Sequence, residues 1–217
     1  MNVYSINYKE ETMPRNEQQN EQAREVRREQ IRKEALRQFS LQGLGTTRIQ
    51  DIAKGVGMAQ GLLYHYYPSK EAIYLDLVRE ALDMTTHAAE SVRDMKTTAR
   101  EKIEYSLREL VSTIGRSDRF TQTCSLNAQI PSVLALTEEE RAEIRDKKQA
   151  PYRIVADIMR QGQREGSIVE GDADTLAMLF WSCINGLAIY RVTHAYNGPL
   201  PEYRVIAAMF LKNCKDD

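Results

Sequence analysis

The sequence predicts an all-α protein of about nine helices, and three observations carry that prediction. Apolar residues recur at helical spacing along most of the 217-residue chain, without a convincing alternating pattern of a strand. Glycines and prolines stand mostly between the periodic segments, where they end helices. Three threonines precede Gln or Glu by three residues, which is the pattern of a helix capping box: Thr47, Thr98 and Thr137.

The N-terminal part is predicted to hold a tail and one long helix. Residues 1–20 are polar, lack the apolar core of a signal peptide and are predicted to be a flexible tail. The first helix spans about residues 21–42, and Gly43 with Gly45 ends it. One apolar face runs along this helix at a spacing of four residues: Ile31, Ala35 and Phe39.

Two short helices follow and meet at a glycine turn. The first begins at Thr47, Gly57 interrupts the chain, and the second spans about residues 59–66. A helix as short as the second is not stable alone, so packing must hold it. Two short helices joined by such a turn are the layout of a DNA-reading helix-turn-helix, in which the second helix enters the major groove.

Six more helices are predicted between residue 70 and the C-terminus. Their predicted starts are near Lys70, Thr98, Phe120, Thr137, Asp172 and Glu202. Ser69 is the predicted N-cap of the first, and Pro131 is predicted to end the third. The fourth is predicted either to kink or to restart at Pro151, before Gly166 ends it.

The charge of the chain is balanced overall but unevenly distributed. Its 30 Lys and Arg against 31 Asp and Glu give a net charge of −1, unlike proteins that coat nucleic acid without sequence preference. Between residues 24 and 70, nine basic residues stand against four acidic ones, an excess of +5 that leaves −6 for the rest. This segment is predicted to face an anion, although a solvated helix face would explain residues 24–37 almost as well.

Cysteine usage and hydropathy predict a soluble, cytoplasmic protein. Cys124, Cys183 and Cys214 are an odd number without a close pair, which fits a reducing compartment better than a disulfide framework. The longest uncharged stretch, residues 175–190, is shorter than the ~20 residues of a membrane span and is predicted to be a buried helix. No membrane partner is therefore expected.

Residues 49–74 carry the most specific pattern, IQDIAKGVGMAQGLLYHYYPSKEAIY. This run resembles the signature of tetracycline-repressor-like (TetR-family) transcription regulators, which is Ile-Ala, a glycine turn, then Gly-x-Leu-Tyr-x-Tyr-Phe-x-Ser-Lys-Glu. The dense match covers residues 28–73. Five upstream residues also match the family: Ile31, Ala35, Phe39, Gly43 and Thr47. Four residues depart from the usual pattern: Arg48, Gly55, Ala59 and Tyr67.

The predicted DNA contacts centre on the second helix of the motif. Gln60 is the candidate for base readout, because its amide can pair with N6 and N7 of adenine in the major groove. Gly61 lets the helix start approach a base edge, and Leu62 is placed to touch a thymine methyl group. The resemblance implies phosphate contacts by Tyr64 and Tyr66, for which core packing is the alternative.

Five further residues complete the predicted DNA-binding set. His65 would contact a base or a phosphate, with packing again as the alternative. Lys70 is predicted to bind a phosphate through its ammonium group and the free N–H groups of the helix start. Thr47 and Arg48 stand at the start of the motif, and Ala59 stands before its second helix, where the family commonly has a capping Ser. Arg48, where the family has a small hydroxyl residue, would make a phosphate contact of its own.

The resemblance also implies a homodimer that reads two DNA half-sites about one helical turn apart, ~34–36 Å. It places the dimer contact in the last two helices, here about residues 172–194 and 202–212. The first of these carries more apolar surface than one helix face can hide in a protomer, and a fully internal helix is the alternative. The predicted interface residues are Leu176, Phe180, Cys183, Ile184, Leu187 and Tyr190.

An effector pocket among the central helices is a further implication of the resemblance. Its candidate residues are Tyr105, Cys124, Asn127, Tyr152, Met159, Met178 and Trp181. Ordinary core packing is the alternative for each of them. Their bias toward Met and Tyr favours a small apolar or aromatic effector over a highly charged one. No cofactor and no metal are expected.

Catalysis has little support in the sequence. His65, His87 and His194 lack a metal-binding spacing, and neither a CxxC nor a Gly-x-Ser-x-Gly motif is present. The predicted function is a sequence-specific DNA-binding regulator, a homodimeric repressor released from its operator by a small molecule. The alternative is a helical sensor or partner-binding protein that no longer binds DNA. The predicted domains are a tail (1–20), a helix-turn-helix domain (21–69) and an effector-binding and dimerisation domain (70–217).

Overall fold

The computed structural model describes residues 15–129 and 136–212, and within them the protein is helical. Nine helices are present in these two ranges, with no strand beyond an isolated bridge between Ile168 and Leu211. The all-α prediction is confirmed. The helices are α1 (Arg15–Thr46), α2 (Ile49–Gly55), α3 (Gln60–Leu63), α4 (Lys70–Arg93), α5 (Ala99–Arg116), α6 (Asp118–Ala128), α7 (Glu138–Arg164), α8 (Ala173–Thr193) and α9 (Tyr203–Ala207).

Helix α1 is longer at both ends than predicted. It begins at Arg15, so residues 15–20 of the predicted tail are helical, whereas residues 1–14 lie outside the described ranges. Near its other end Gly43 leaves the helical region with φ 82° and ψ 160°. Glycine adopts such a left-handed φ without the steric penalty of a side chain. The predicted stop is thus present as an interruption within α1.

Capping boxes start α5 and α7 as predicted, but not α2. The hydroxyls of Thr98 and Thr137 each accept a bond from the N–H group three residues on, and the Glu side chain at that position accepts from the threonine N–H. The predicted box at Thr47 is wrong, because Arg48 is the N-cap of α2 and no side chain caps this helix. The Thr47 hydroxyl donates instead to the Gly43 carbonyl at 2.8 Å.

Helix α7 does not restart at Pro151, and it ends in a tight glycine turn. Gly166, with φ 74°, reverses the chain, and the N–H of Ser167 donates back to the Gly162 carbonyl at 2.9 Å. The Ile168 side chain then folds onto Gly162 so closely that a Cβ there would lie 2.5 Å from its Cγ1. A side chain at position 162 would therefore displace Ile168 from this place.

The segment after α9 is pinned to the turn that ends α7. The N–H of Val169 donates to the Phe210 carbonyl at 2.9 Å, and the N–H of Lys212 donates to the Ser167 carbonyl at 3.0 Å. The predicted helix over 202–212 is therefore too long. Helix α9 has five residues, because the chain then leaves the helical path and makes these bonds.

Buried apolar side chains form two clusters, and α4 leads from one toward the other. The first cluster joins α1, α2 and α3 to the N-terminal half of α4 through fully buried residues such as Phe39, Leu63 and Tyr74. Leu126 of α6 and Ile144 of α7 belong to this cluster as well. The second cluster, here called the central cluster, fills the space among α5–α9. The N-terminal helices therefore rest directly on the C-terminal ones.

Helix α8 is the one described helix that is long and apolar enough, by length and composition alone, to cross a membrane. A core helix passes the same test, so these two properties are weak grounds for a membrane span. Of its most apolar stretch, 33% is buried within the protein. Phe180, Ile184 and Ala188 lie in the central cluster, which is the packing that a core helix shows.

Candidate nucleic-acid interface

Helix α3, the predicted DNA-reading helix, is a single turn with one buried side and one exposed side. On the buried side Leu63 is fully enclosed in the first cluster, and Tyr66 packs against that cluster. On the opposite side Leu62 is 48% exposed and Tyr64 is 47% exposed. The Nε2 of Gln60 donates to the Tyr64 hydroxyl at 3.4 Å. Tertiary packing thus presents one side of a helix that is too short to be stable alone.

Seven of the ten predicted DNA-binding residues are exposed, and their contacts with DNA remain predictions. The seven are Arg48, Ala59, Gln60, Gly61, Leu62, Tyr64 and His65. Ala59 is the N-cap of α3 and makes no side-chain cap, as expected of a residue without a hydroxyl. Tyr66 is half-buried, which agrees with the packing alternative.

Thr47 and Lys70 are placed otherwise than predicted. Thr47 is fully buried, so its side chain is not presented for the DNA contact predicted at this position. The Lys70 ammonium group points inward, where Nζ donates to the carbonyls of Leu44, Gly45 and Thr47 at 2.7, 3.1 and 2.8 Å. An ammonium group has three protons, and these three carbonyls accept them all. The phosphate contact predicted for Lys70 has no free donor on that side chain.

A groove of about 540 Å³ lies beside α3, between the turn before α2 and the start of α4. Arg48 is exposed at this groove and supplies a positive charge. Ser69 caps α4 as predicted, its Oγ accepting from the N–H of Ala72 at 3.1 Å. A cation beside a helix N-terminus attracts a phosphate group. The lining residues are Gly45, Thr46, Thr47, Arg48, Ile49, Tyr64, Pro68, Ser69, Lys70 and Glu71.

Tyr67, one of the departures from the family pattern, joins the segment after α3 to α4. It is 3% exposed, and its hydroxyl donates to Asp76 of α4 at 2.5 Å. The Arg28 guanidinium lies over its ring, 4.9 Å from the centroid. Burial and the bond to Asp76 raise the pKa of Tyr67, so the phenol stays protonated and remains a donor. Phenylalanine would lack this bond.

Gly55, a second departure, makes room for an ion pair of α1. Glycine inside a helix is disfavoured by roughly 0.5–1 kcal/mol relative to alanine. Here the Glu34 side chain lies so close that its Cδ is 2.6 Å from the place a Cβ would take. Arg37 and Gln38 donate to Oε1 of Glu34 at 2.6 and 2.7 Å, and the bond from Arg37 lowers the pKa of this carboxyl. Close contact between α1 and α2 thus explains the glycine.

A network of charged side chains joins α1, α4 and α6, and we call it the charge network. Arg32 of α1 donates to Glu29 at 2.7 Å and lies within 4 Å of Asp76 and Glu80 of α4. Arg119 of α6 forms ion pairs of 2.6 Å with Glu29 and 3.1 Å with Glu80. Burial alone would raise the pKa of Glu29, but the bonds from Arg32 and Arg119 lower it. Sequence reasoning missed this network, because its members meet only in the fold.

Four of the seven predicted pocket residues share the central cluster, and two are placed elsewhere. Cys124, Met159 and Trp181 are buried in the cluster, and the Tyr152 ring packs 6.0 Å from that of Trp181. The prediction that Tyr105 and Met178 line an internal pocket is wrong. These two side chains are 38% and 50% exposed, respectively.

Asn127, the seventh predicted pocket residue, carries a buried acceptor without a partner. Its Oδ1 makes no hydrogen bond within the described residues, a situation that costs about 1–3 kcal/mol. Asn127 lies three residues after Cys124 on α6, at the spacing that brings two side chains to the same side of a helix. Burial raises the pKa of Cys124 to about 12, so this neighbour stays a neutral thiol.

The predicted dimer residues divide between the inner and outer sides of α8. Leu176, Phe180 and Ile184 are buried in the protomer, so their assignment to an interface is wrong. Cys183 and Leu187 are half-buried. The exposed side of α8, here called the outer face, consists of Met178, Leu179, Ser182, Gly186 and Tyr190.

The histidines of the chain lie in three different elements. His65 follows α3, His87 is on α4 and His194 ends α8. Among residues 15–129 and 136–212, no three His, Cys, Asp or Glu side chains are grouped so as to hold a metal ion. The features that the fold does assemble are the exposed side of α3, the groove at Arg48 and the central cluster.

Two sequence-family models match the chain. The model described as bacterial regulatory proteins, tetR family, matches residues 31–77, and the model described as tetracyclin repressor-like, C-terminal domain, matches residues 96–189. Together they match more than half of the chain. The chain belongs to the TetR family. The second match spans α5, α6, α7 and most of α8, so TetR membership does not rest on the helix-turn-helix alone.

Individual relatives agree with TetR membership. The HTH-type transcriptional repressor KstR2 of Mycolicibacterium smegmatis is 27% identical over 141 residues, which are 65% of this chain and 67% of that protein. The ketosteroid transcriptional regulator KstR2 of Mycobacterium tuberculosis has a TM-score of 0.69 at 22% identity, covering 86% of this chain and 96% of that one. AibR in complex with isovaleryl coenzyme A and operator DNA has a TM-score of 0.67 at 20% identity, covering 84% and 94%. These two structures establish the shared fold.

Proposed function

We propose that the protein is a homodimeric transcriptional repressor that binds operator DNA through α3 and the turns beside it. The observation that carries this proposal is the exposed side of α3, where Gln60, Leu62 and Tyr64 stand over the buried Leu63. A helix presented in this way fits the major groove, where an amide can read adenine. The excess of five positive charges over residues 24–70 favours the approach to the phosphate backbone.

Alanine in place of Gln60 is expected to reduce discrimination between DNA sequences rather than general affinity. An amide–adenine pair contributes ~1–3 kcal/mol, so operator affinity should fall roughly 5- to 150-fold while affinity for random DNA stays within about twofold. The measurement is fluorescence anisotropy with the DNA that flanks the gene and with a random duplex, at one salt concentration. Gln149→Ala, at an exposed glutamine of α7, is the control, and an unchanged affinity ratio for Gln60→Ala would contradict this role.

A second candidate is a helical sensor or partner-binding protein that no longer binds DNA. It is favoured by the inward position of the Lys70 ammonium group, which removes one cation from the DNA side. The exposed Arg48, Gln60 and Tyr64 speak against it. Wild-type protein that binds the flanking DNA no more tightly than a random duplex would establish this second candidate.

The dimer contact is proposed to lie on the outer face of α8, with the exposed Val205 and Met209 around α9. Met178 is 50% exposed and Leu179 is 38% exposed in the protomer, and contiguous exposed apolar side chains mark association sites. A Cβ added at Gly186 would have no neighbour within 4 Å, so a second helix has room to approach there. Pairing of this face about a twofold axis would bring two copies of α3 to one DNA molecule.

The effector is proposed to be a small apolar or aromatic molecule that binds in the central cluster near Asn127 and Trp181. The unpaired Oδ1 of Asn127 would accept a hydrogen bond from it, and the aromatic rings of Tyr152 and Trp181 would pack against it. Because KstR2 is named a ketosteroid regulator, steroid ketones are the first compounds to test. Isovaleryl coenzyme A, with which AibR is solved, is the contrasting compound, since its phosphate groups make it highly charged.

The tryptophan emission should identify the effector, because Trp181 is the single tryptophan of the chain. A compound that shifts or quenches this emission is expected also to release the protein from operator DNA. Asn127→Ala should weaken that compound about 5- to 10-fold, the equivalent of one lost hydrogen bond, and leave operator affinity unchanged. Gln149→Ala is the control for the substitution. This site would be refuted by a compound that releases the operator without changing the tryptophan emission and that binds Asn127→Ala as tightly as the wild type.

The roles are proposed to divide along the chain at the start of α4. Residues 21–69 would bind DNA, and residues 70–217 would bind the effector and the second protomer. This is a division of roles rather than of packing, because the first cluster extends across it into α4. A regulator of this kind acts on chromosomal DNA, so the proposed location is the cytoplasm.

A further inference from the structure

Lys70 is the first residue of α4, yet its ammonium group belongs to another part of the fold. Nζ lies 2.7 Å from the carbonyl oxygen of Leu44, 3.1 Å from that of Gly45 and 2.8 Å from that of Thr47. These three acceptors precede it by 23 to 26 residues. The bonds therefore tie the start of α4 to the turn between α1 and α2.

The turn that Lys70 holds is one in which carbonyl groups lack helical partners. At Gly43 the backbone leaves the helical region, so the carbonyls after it point away from the α1 axis and converge. Converging carbonyl dipoles repel one another, and the C-terminal end of a helix is itself negative. A cation at their meeting point removes both penalties, which a neutral side chain cannot do.

The same turn shapes the DNA-binding surface. It forms one wall of the 540 Å³ groove, and the start of α4 forms the opposite wall. Thr47, whose carbonyl binds Lys70, directly precedes Arg48, the N-cap of α2. Helix α2 in turn packs against α3, which it joins in the first cluster. The Lys70 ammonium group thus links the start of α4 to the turn that leads into α2.

We propose that Lys70 is a positioning residue of the helix-turn-helix. Its ammonium group holds the turn of residues 44–47 against α4 as a clamp, and so fixes α3 for base readout. It does not neutralise a DNA phosphate. This inference rests on the proposed DNA-binding function. It differs from a phosphate contact in two consequences that can be measured. A clamp stabilises the free protein, and its removal should reduce the discrimination between DNA sequences. Removal of a phosphate contact should instead weaken binding to all DNA sequences alike and reduce the salt dependence.

The test compares Lys70→Met with Lys54→Met, which removes an exposed lysine of α2. Methionine keeps most of the aliphatic stem and removes the charge. Without DNA, Lys70→Met is expected to lower Tm by roughly 5 °C, because three carbonyls lose their donor, whereas Lys54→Met should change it by less than about 1 °C. Equal Tm values for the two variants would overturn the clamp, and this result does not depend on DNA binding.

The DNA arm is measured at a temperature at which both variants are folded. Lys70→Met should lower operator affinity about 10-fold and random-DNA affinity less than about twofold, so that the affinity ratio falls. The salt slope is compared in an Arg48→Met background, where a displaced Arg48 cannot affect it. In this background Lys70→Met should not change the slope of log K against log salt concentration. A slope that becomes less steep by about 0.9, with an unchanged ratio of operator to random-DNA affinity, would show a phosphate contact instead. Wild-type protein without operator preference would refute the proposed function, while the Tm comparison would still decide the clamp.

Discussion

Glutamate in place of Met178 is expected to separate the proposed dimer into monomers and to weaken operator binding at least about 100-fold. Met178 is 50% exposed on the outer face of α8. In a twofold interface each substitution occurs twice, so two carboxylates would be buried without partners, at a cost of several kcal/mol each. A monomer also loses the gain from binding two linked half-sites, which is commonly 10²- to 10⁴-fold.

Met84→Glu is the matched control for Met178→Glu. Met84 is also a methionine within a long helix, and its exposed fraction is 52%. It lies on α4, away from the outer face of α8, and its substitution should leave both assembly and operator affinity unchanged. Light scattering gives the mass, which is 24.9 kDa for one chain, and anisotropy gives the affinity. A Met178→Glu variant that still has twice this mass would place the dimer contact elsewhere.

Alanine in place of Arg32 is expected to lower the free energy of unfolding by about 3 kcal/mol. The Arg32 side chain is 17% exposed and lies within 4 Å of carboxylates on α1 and α4. Removal of one partner from a buried ion pair costs about 3–5 kcal/mol, because the remaining charges lose their compensation. Arg32 itself is largely buried, but its partner carboxylates are 31–56% exposed, which places the expected loss at the lower end of this range. For a chain of this size the loss corresponds to a decrease in Tm of about 6–12 °C.

Arg153→Ala is the control for Arg32→Ala. Arg153 pairs with Asp146 at 3.4 Å, but their side chains are 56% and 77% exposed. An exposed pair contributes at most about 1 kcal/mol. Urea unfolding of the two variants should therefore separate them clearly. Equal losses would mean that the charge network contributes no more than an ordinary surface pair.

The pH dependence of Arg32→Ala should differ from that of the wild type. The folded pKa of Glu29 is lowered by Arg32 and Arg119 despite burial, so this carboxylate stabilises the wild type above its unfolded pKa. That contribution is lost as the pH falls through the folded pKa. In the variant, protonation of Glu29 also relieves the repulsion between this carboxylate and the others that surround Arg32 in the wild type. Unfolding measured from about pH 7 to pH 4 should show the difference between variant and wild type becoming smaller; a constant difference would argue against carboxylate repulsion.

The sequence was sufficient for the elements whose signals are local. The boxes at Thr98 and Thr137 and the cap at Ser69 lie within four consecutive residues each, and the structure contains all three. The position of the helix-turn-helix was equally predictable, because its spacing pattern is continuous from Ile49 to Tyr74. The same local pattern gave a wrong prediction at Thr47, because its buried hydroxyl donates to the Gly43 carbonyl and does not cap α2.

Contacts between distant segments were not predictable from the sequence. The inward direction of Lys70 depends on carbonyls more than 20 residues away, and the room for Glu34 explains Gly55 only once α1 and α2 are packed. The orientation of α8 was missed for a different reason. Apolar residues occur all around this helix, so periodicity does not distinguish the buried Phe180 from the exposed Leu179.

The backbone bonds that join Val169 to Phe210 and Lys212 to Ser167 close a loop that contains the whole of α8 and α9. A segment closed at both ends has no free end from which α9 could fray. Hydrogen exchange in α9 should therefore resemble that of the end of α7, to which the segment after α9 is bonded. The two helices that would join two protomers are thus held together for as long as this closure lasts.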